Sequence, residues 1–215
     1  MSQELLEKYT SNINWYLNAG IAIEGSKTVY FDPYGFPQNA KKADYIFISH
    51  PHRDNFPGKI IKELGDENSV IFITRDAYAF EFSGDVVNVC PNETYEGYEG
   101  ISLKTVPSYT SVEKYHPQKN NWVGYILKMD DITYYFAGDT DLTPEMSSLG
   151  KIDVAFLPIG GVYTMDSNDA LKAVDVICPK VVIPVHFGMI VGTFDEAEEF
   201  VKRCPVPSKI LKVTR

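Results

Sequence analysis

Tyr45-Ile46-Phe47-Ile48-Ser49-His50-Pro51-His52-Arg53-Asp54 begins as an apolar run and breaks at Ser49 into a loop with two imidazoles and a carboxylate at alternate positions. The run reads as a buried strand. Pro51 holds the loop open. A borderline-soft divalent metal needs neutral imidazoles and carboxylate oxygens converging from a rigid support. A loop at the tip of a buried strand is such a support.

The chain has only four histidines, and the other two are placed in the same manner. His186 ends the strand-like run Val181-Val182-Ile183-Pro184-Val185. His116 lies in Tyr115-His116-Pro117, within the polar, aromatic segment 109–121 that precedes the strand-like residues 122–127. A further strand, 132–136, ends in Ala137-Gly138-Asp139-Thr140. There Gly138 allows a tight turn, and Asp139 is aimed at whatever lies beyond the strand tip. Singly, a histidine after a strand is more often a packed structural group, and a Gly-Asp pair an ordinary turn. The pieces combined, all at strand ends, point to a metal centre.

Length and composition set the frame. A chain of 215 residues fits one domain, here 1–215, and can bury a substantial core. The net charge of −9 argues against a nucleic-acid partner, which calls for a basic face. Cys90, Cys178 and Cys204 are odd in number and widely spaced, so they read as small buried hydrophobes rather than a disulfide framework. The polar N-terminus lacks an apolar signal core, and no apolar run reaches bilayer length. A cytoplasmic protein without a membrane partner is expected. The 14 Tyr and 12 Phe leave room for an aromatic homo-oligomer interface.

Along the chain, a short N-terminal helix is expected, then strands at 13–17, 20–24, 28–32 and 45–49. Residues 57–65 read as a helix with Pro57 near its start and Gly65 after its end. Strands are expected at 69–74, 86–89 and 101–106, with a short helix at 75–82. In the second half, 123–127 and 132–136 form a hairpin around 129–131. Then come a strand at 153–157, a helix capped by Asp166 or Ser167 and running to Ile177, and a strand at 181–185. Thr193-Phe194-Asp195-Glu196 has the capping-box pattern and opens a helix through Lys202. A last strand is expected at 210–213. Two mixed sheets packed face to face with helices outside account for this order. The candidate ligands then collect along one edge.

These residues resemble the metallo-β-lactamase superfamily of metal-dependent hydrolases. His50, His52 and Asp54, then His116, Gly138-Asp139 and His186, match that family's motif order. The opening, Ile13-Asn14-Trp15-Tyr16 with Phe31-Asp32-Pro33, is similar to the branch that contains sugar-phosphate lactonases and N-acyl-phosphatidylethanolamine phospholipase D. The resemblance covers nearly the whole chain. It implies a four-layer αββα sandwich and two metal positions. The first would take His50, His52 and His116. The second would take Asp54, Asn55 and His186, with Asp139 bridging. Two departures stand out. Asn55 replaces a histidine, which removes a strong ligand from the second position; an amide oxygen suits Mn²⁺ better than Zn²⁺. Leu17-Asn18 replaces the branch's Gly-His, a change expected around the ligands rather than among them.

The resemblance implies hydrolysis. A divalent ion, Zn or Mn, lowers the pKa of a bound water toward ~7 and so supplies a nucleophile at neutral pH. Ester, lactone, thioester and phosphodiester bonds of a small substrate all fit. Asp54 would orient the nucleophile and pass a proton. Tyr163 would donate to an oxyanion, against the alternative of an aromatic packed in a turn. Arg53, Lys114 and Lys119 are candidates for holding an anionic substrate group, against the alternative of solvated charge. The competing classes are a non-catalytic metal-binding protein of the same fold, which Asn55 favours, and a nuclease, which the acidic balance disfavours.

Overall fold

A computed structural model describes residues 2–37, 39–77, 81–112 and 114–214. The first sheet runs in chain order through β1 (Ile13–Trp15), β2 (Ile21–Glu24), β3 (Thr28–Phe31), β4 (Tyr45–Phe47), β5 (Val70–Thr74) and β6 (Asp85–Val89). Its first three strands are antiparallel and β3 to β6 are parallel. The second sheet contains β7 (Thr94–Tyr95), β8 (Ser102–Pro107), β9 (Val123–Met129), β10 (Ile132–Phe136), β11 (Val154–Pro158) and β12 (Val181–Val185), again in sequential order. It is antiparallel from β7 to β10 and parallel from β10 to β12. Asp130 and Asp131, both left-handed, close β9 to β10 in a two-residue hairpin.

Alternation of side chains in the central strands makes the layers. Val29, Phe31, Tyr45 and Phe47 face the core between the sheets. Tyr30, Ile46 and Ile48 face the other way, against Ile61 and Leu64 of α2 (Gly58–Leu64). Between the sheets the Phe31 ring lies 4.8 Å from Phe136, and Phe47 lies 5.2 Å from Tyr125. The Tyr125 hydroxyl crosses the interior and donates to the Ile48 carbonyl at 2.7 Å and the Phe72 carbonyl at 3.3 Å. On the far side, α1 (Ser2–Thr10) and α4 (Phe194–Arg203) contact β12, and α3 (Ser167–Ile177) packs with α4. The result is the expected αββα sandwich. Asp166 caps α3 through the Asp169 N–H, and Thr193 with Glu196 forms the full capping box of α4.

Several expectations need correction. Residues 210–213 are not a strand. The segment passes between the two sheet edges and bridges each once, Ser208 with Val182 of β12 and Val213 with Trp15 of β1. The two-residue β7 is too short to announce itself in the sequence. Residues 75–77 form a turn rather than a helix, and 78–80 lie outside the described residues. The cysteines are not buried: Cys178 is exposed and Cys90 and Cys204 are half-buried. Cys178 is the left-handed C-cap of α3, so it points outward just after the buried Ile177. Among the described residues no helix is long and apolar enough to cross a membrane.

Removing the cross-sheet hydroxyl tests its part in holding β4. Tyr125→Phe should lower unfolding stability by about 1–3 kcal/mol, the usual cost of a buried acceptor left without its donor. Denaturant titration of both proteins measures it.

Candidate metal centre

The tip of β4 is held by a carboxylate from β3's end. Asp32 is fully buried. It accepts from the Ser49 N–H at 2.8 Å, from Ser49 Oγ at 2.5 Å and from Asn55 Nδ2 at 2.9 Å. The N–H groups of Asn55 and Phe56 both donate to the His52 carbonyl, at 2.9 and 2.7 Å, which closes the loop into a turn. His50, His52 and Asp54 therefore project from a loop pinned at both ends. Burial pushes the Asp32 pKa up to about 7, against the opposing bonds from Ser49 and Asn55. A divalent cation nearby would pull it down again.

The other elements bring their groups to the same tip. Gly138, after β10, has φ +67°, and a Cβ there would meet Ser108 Oγ at 3.0 Å and Ser49 Cβ at 3.1 Å. Only glycine lets the chain pass this close to Ser49 and set Asp139 beside His50. His186, after β12, is left-handed at φ +56°, with its N–H on the Asn18 carbonyl at 2.9 Å. His116 comes from the loop before β9. The Trp122 ring lies 4.9 Å from His50 and 5.0 Å from His52, and its indole donates to Asp76 Oδ2 at 2.6 Å.

Two candidate ligand sets result. One atom each from His50, His52 and His116 lie within 4.8 Å of one another, and so do atoms of Asp54, Asp139 and His186. Asp139 Oδ2 stands between the sets, 3.6 Å from His50 Nε2, 3.4 Å from His116 Nε2 and 3.1 Å from His186 Nε2. Asp54 Oδ2 is 3.8 Å from His186 Nε2. Burial drives His50 well below its ordinary pKa and lowers His52 too, so both are neutral, the ligating form. Burial also opposes the charged forms of Asp139 and His186, but their mutual attraction outweighs it. Asp139 is held well below the carboxylate range and His186 is raised.

These residues fit a divalent metal. His50 Nε2 and His52 Nδ1 are 3.0 Å apart. Two nitrogens on one tetrahedral ion at ~2.0–2.1 Å stand about 3.3 Å apart, nearly this separation. Both ring nitrogens of His116, Asp139 Oδ1 and His186 Nδ1 are buried without a hydrogen-bond partner. Buried polar atoms are rarely left so, and a cation would satisfy those facing it.

The other expected site residues fall as follows. Asn55 is fully buried, its Nδ2 turned to Asp32 and its Oδ1 without a partner. Tyr163 lines a cavity of 300 Å³ with His52, Asp54, His116, Asp139 and His186, its ring 4.6 Å from Tyr115. Lys114 lies over the Tyr115 ring at 4.9 Å. Lys119, in a short 3₁₀ turn, is exposed.

The comparisons with known proteins come to the same place. A family model described as a beta-lactamase superfamily domain matches residues 12–186. A UPF0173 metal-dependent hydrolase of Pyrococcus horikoshii is 34% identical over 197 residues, covering 85% of this chain and 87% of the relative. The chain belongs to the metallo-β-lactamase superfamily. A second UPF0173 relative, from Nanoarchaeum equitans, is 35% identical over 185 residues, covering 81% of this chain and 83% of its own. Among solved structures, a provisionally named metal-dependent hydrolase from Parabacteroides distasonis superposes with a TM-score of 0.83 at 28% identity, covering 94% of this chain and 93% of that one.

Within this metallo-β-lactamase site the sequence understated one residue and left the contacts of another open. Asp32 entered only as part of an opening motif, yet it anchors the loop. Asn18 sits around the ligands, as expected, and its contacts are specific: its Nδ2 donates to Asp54 Oδ2 at 2.9 Å while its carbonyl takes the His186 N–H. It thus holds both outer members of the second ligand set. The separation of 36 residues kept its partner, Asp54, from being read in the sequence. Asn18→Gly keeps the left-handed backbone and removes the amide. Divalent-ion binding at the Asp54–Asp139–His186 set should weaken about 10–100-fold, the usual effect of losing a group that orients a ligand. Calorimetric titration reads the change.

Proposed function

We propose that the chain is a single-domain, metal-dependent hydrolase of small-molecule ester, lactone, thioester or phosphodiester bonds. The observation that carries this reading is Asp139 Oδ2 standing 3.1–3.6 Å from three histidines contributed by separate loops. His50, His52 and His116 would hold one ion. Their three imidazoles favour zinc. Asp54, Asp139 and His186 would hold a second, more weakly, with Asn55 offering only an amide oxygen. That oxygen-rich set favours a harder ion such as Mn²⁺. When bound, the ion supplies an acidified water and polarises the bond under attack.

The chain's own groups do the rest. Asp54, fixed by Asn18, orients the attacking water and carries its proton toward the leaving group. The Tyr163 hydroxyl, in the same cavity, donates to the oxyanion that develops. Trp122 packs against His50 and His52 and keeps water from their far side. The cavity's 300 Å³ suits a small substrate.

A metal-reconstituted screen across lactones, thioesters and phosphodiesters tests the reading. Turnover on one class, lost with Asp139→Ala together with metal content, is expected. Full metal content with no turnover on any class would instead favour the non-catalytic reading, for which Asn55 is the specific support. Titrating the apoprotein should show unequal occupancy, and Asn55→His should strengthen the weaker zinc site at least ~10-fold. Two equally tight zinc ions in the unaltered protein would show that Asn55 does not weaken the second position.

A further inference from the structure

Two cavities open side by side at the strand tips. The smaller, 300 Å³, contains the ligand sets. The larger, 620 Å³, shares Arg53, Asp54 and Ile190 with it and extends along α2 to Tyr34 and Lys59. Its walls are otherwise mostly apolar, with Phe56, Pro57 and Ile60. Asp54 is the single carboxylate among the described residues on that lining, and a bound ion would engage it. What then faces the larger cavity is positive: Arg53 and Lys59. In a chain of net charge −9 that is a local reversal.

Neither cation is committed elsewhere. Arg53 has no ion pair or hydrogen bond among the described residues. Among the described residues Lys59 reaches only Glu63, at 3.8 Å on the exposed face of α2, a pairing worth little in water. Lys114, by contrast, lies over the Tyr115 ring. Arg53 is also positioned. It sits between His52 and Asp54 in a turn closed by two hydrogen bonds onto the His52 carbonyl. Its backbone is therefore fixed relative to the ligand sets, and its guanidinium swings from the wall that both cavities share. A planar fork of donors suits an oxyanion.

We propose that the larger cavity is a substrate subsite for a terminal oxyanion, a carboxylate or a phosphate, joined by a short apolar spacer to the bond cleaved next door. Arg53 is its main ligand and Lys59 the second. Phe56, Ile60 and Ile190 cover the spacer. The inference rests on the hydrolytic reading for what happens in the smaller cavity. Binding in the larger one does not depend on it.

Two measurements on the metal-loaded protein separate the two. The first compares hydrolysis of mono-p-nitrophenyl glutarate with p-nitrophenyl valerate, which differ at the terminal group. A preference in kcat/KM of roughly 10- to 100-fold for the glutarate is expected, the range for a charge-assisted hydrogen bond. Arg53→Gln should collapse that ratio toward one, and Arg53→Lys should restore part of it. The second is calorimetry with glutaramate, propyl phosphate and neutral glutaramide. Either oxyanion should bind at least tenfold better than the diamide, with Arg53→Gln removing the advantage; the tighter of the two assigns carboxylate or phosphate. Thermal melts confirm that the variants are folded. Oxyanion binding unchanged in folded Arg53→Gln would overturn the subsite, as would turnover of both esters with no preference. Arg53-dependent binding with neither ester hydrolysed would support the subsite while counting against ester hydrolysis, and no turnover in the wider screen of lactones, thioesters and phosphodiesters would then sink the hydrolytic reading.

Discussion

One buried carboxylate fixes the position of everything at the strand tips. Asp32 ends β3, and its two oxygens accept three hydrogen bonds from the start and the end of the loop that follows β4. Without them, residues 49–55 would be a free connection. With them, His50, His52 and Asp54 are set to within the tolerance that metal coordination demands. Burying an acid at 0% exposure is costly, and its pKa rises to about 7 accordingly. A cation next door would offset that cost, which would link the anchor electrostatically to the site it serves.

The two sheets serve this arrangement. Each is antiparallel on one side and parallel on the other, and the strands that deliver site residues (β3, β4, β10 and β12) release them at the same edge. The Tyr125 hydroxyl and the Phe31–Phe136 stack lock the sheets so that the Asp139 loop meets the His50 loop. The cost is concentrated at the tips. Asn18, Asp32 and His186 all have left-handed backbones, and five titratable groups crowd around Asp139 with several unpartnered nitrogens and oxygens. Each strained residue costs on the order of 1 kcal/mol or more. Such strain persists only where the surroundings enforce it, and binding an ion returns part of it as stability.

Much of this was legible in the sequence because rare residue types fell where strands end. Four histidines in 215 residues, His50 and His52 after β4, His186 after β12 and His116 in the loop between β8 and β9, leave few other readings. The strand pattern was equally clear wherever both faces are buried, as in β4 and β12. Legibility failed where the cause lay far along the chain. Asn18 and Asp54 meet across 36 residues, and Trp122 meets Asp76 across 46. Residues 210–213 looked like a strand, but the chain from Ser208 to Val213 is divided between two sheet edges. Arg53 could be named as a cation from the sequence, but its place on a wall between two cavities depends on α2 and Ile190, which only the fold brings together.

The most direct measurement is anomalous diffraction at the zinc edge from crystals grown with zinc. A strong peak is predicted within ~2.0–2.2 Å of ring nitrogens of His50, His52 and His116, with a weaker one or none among Asp54, Asp139 and His186. No peak among the three histidines, in crystals whose protein retains the loop anchored by Asp32, would contradict the assignment of this edge as a metal centre.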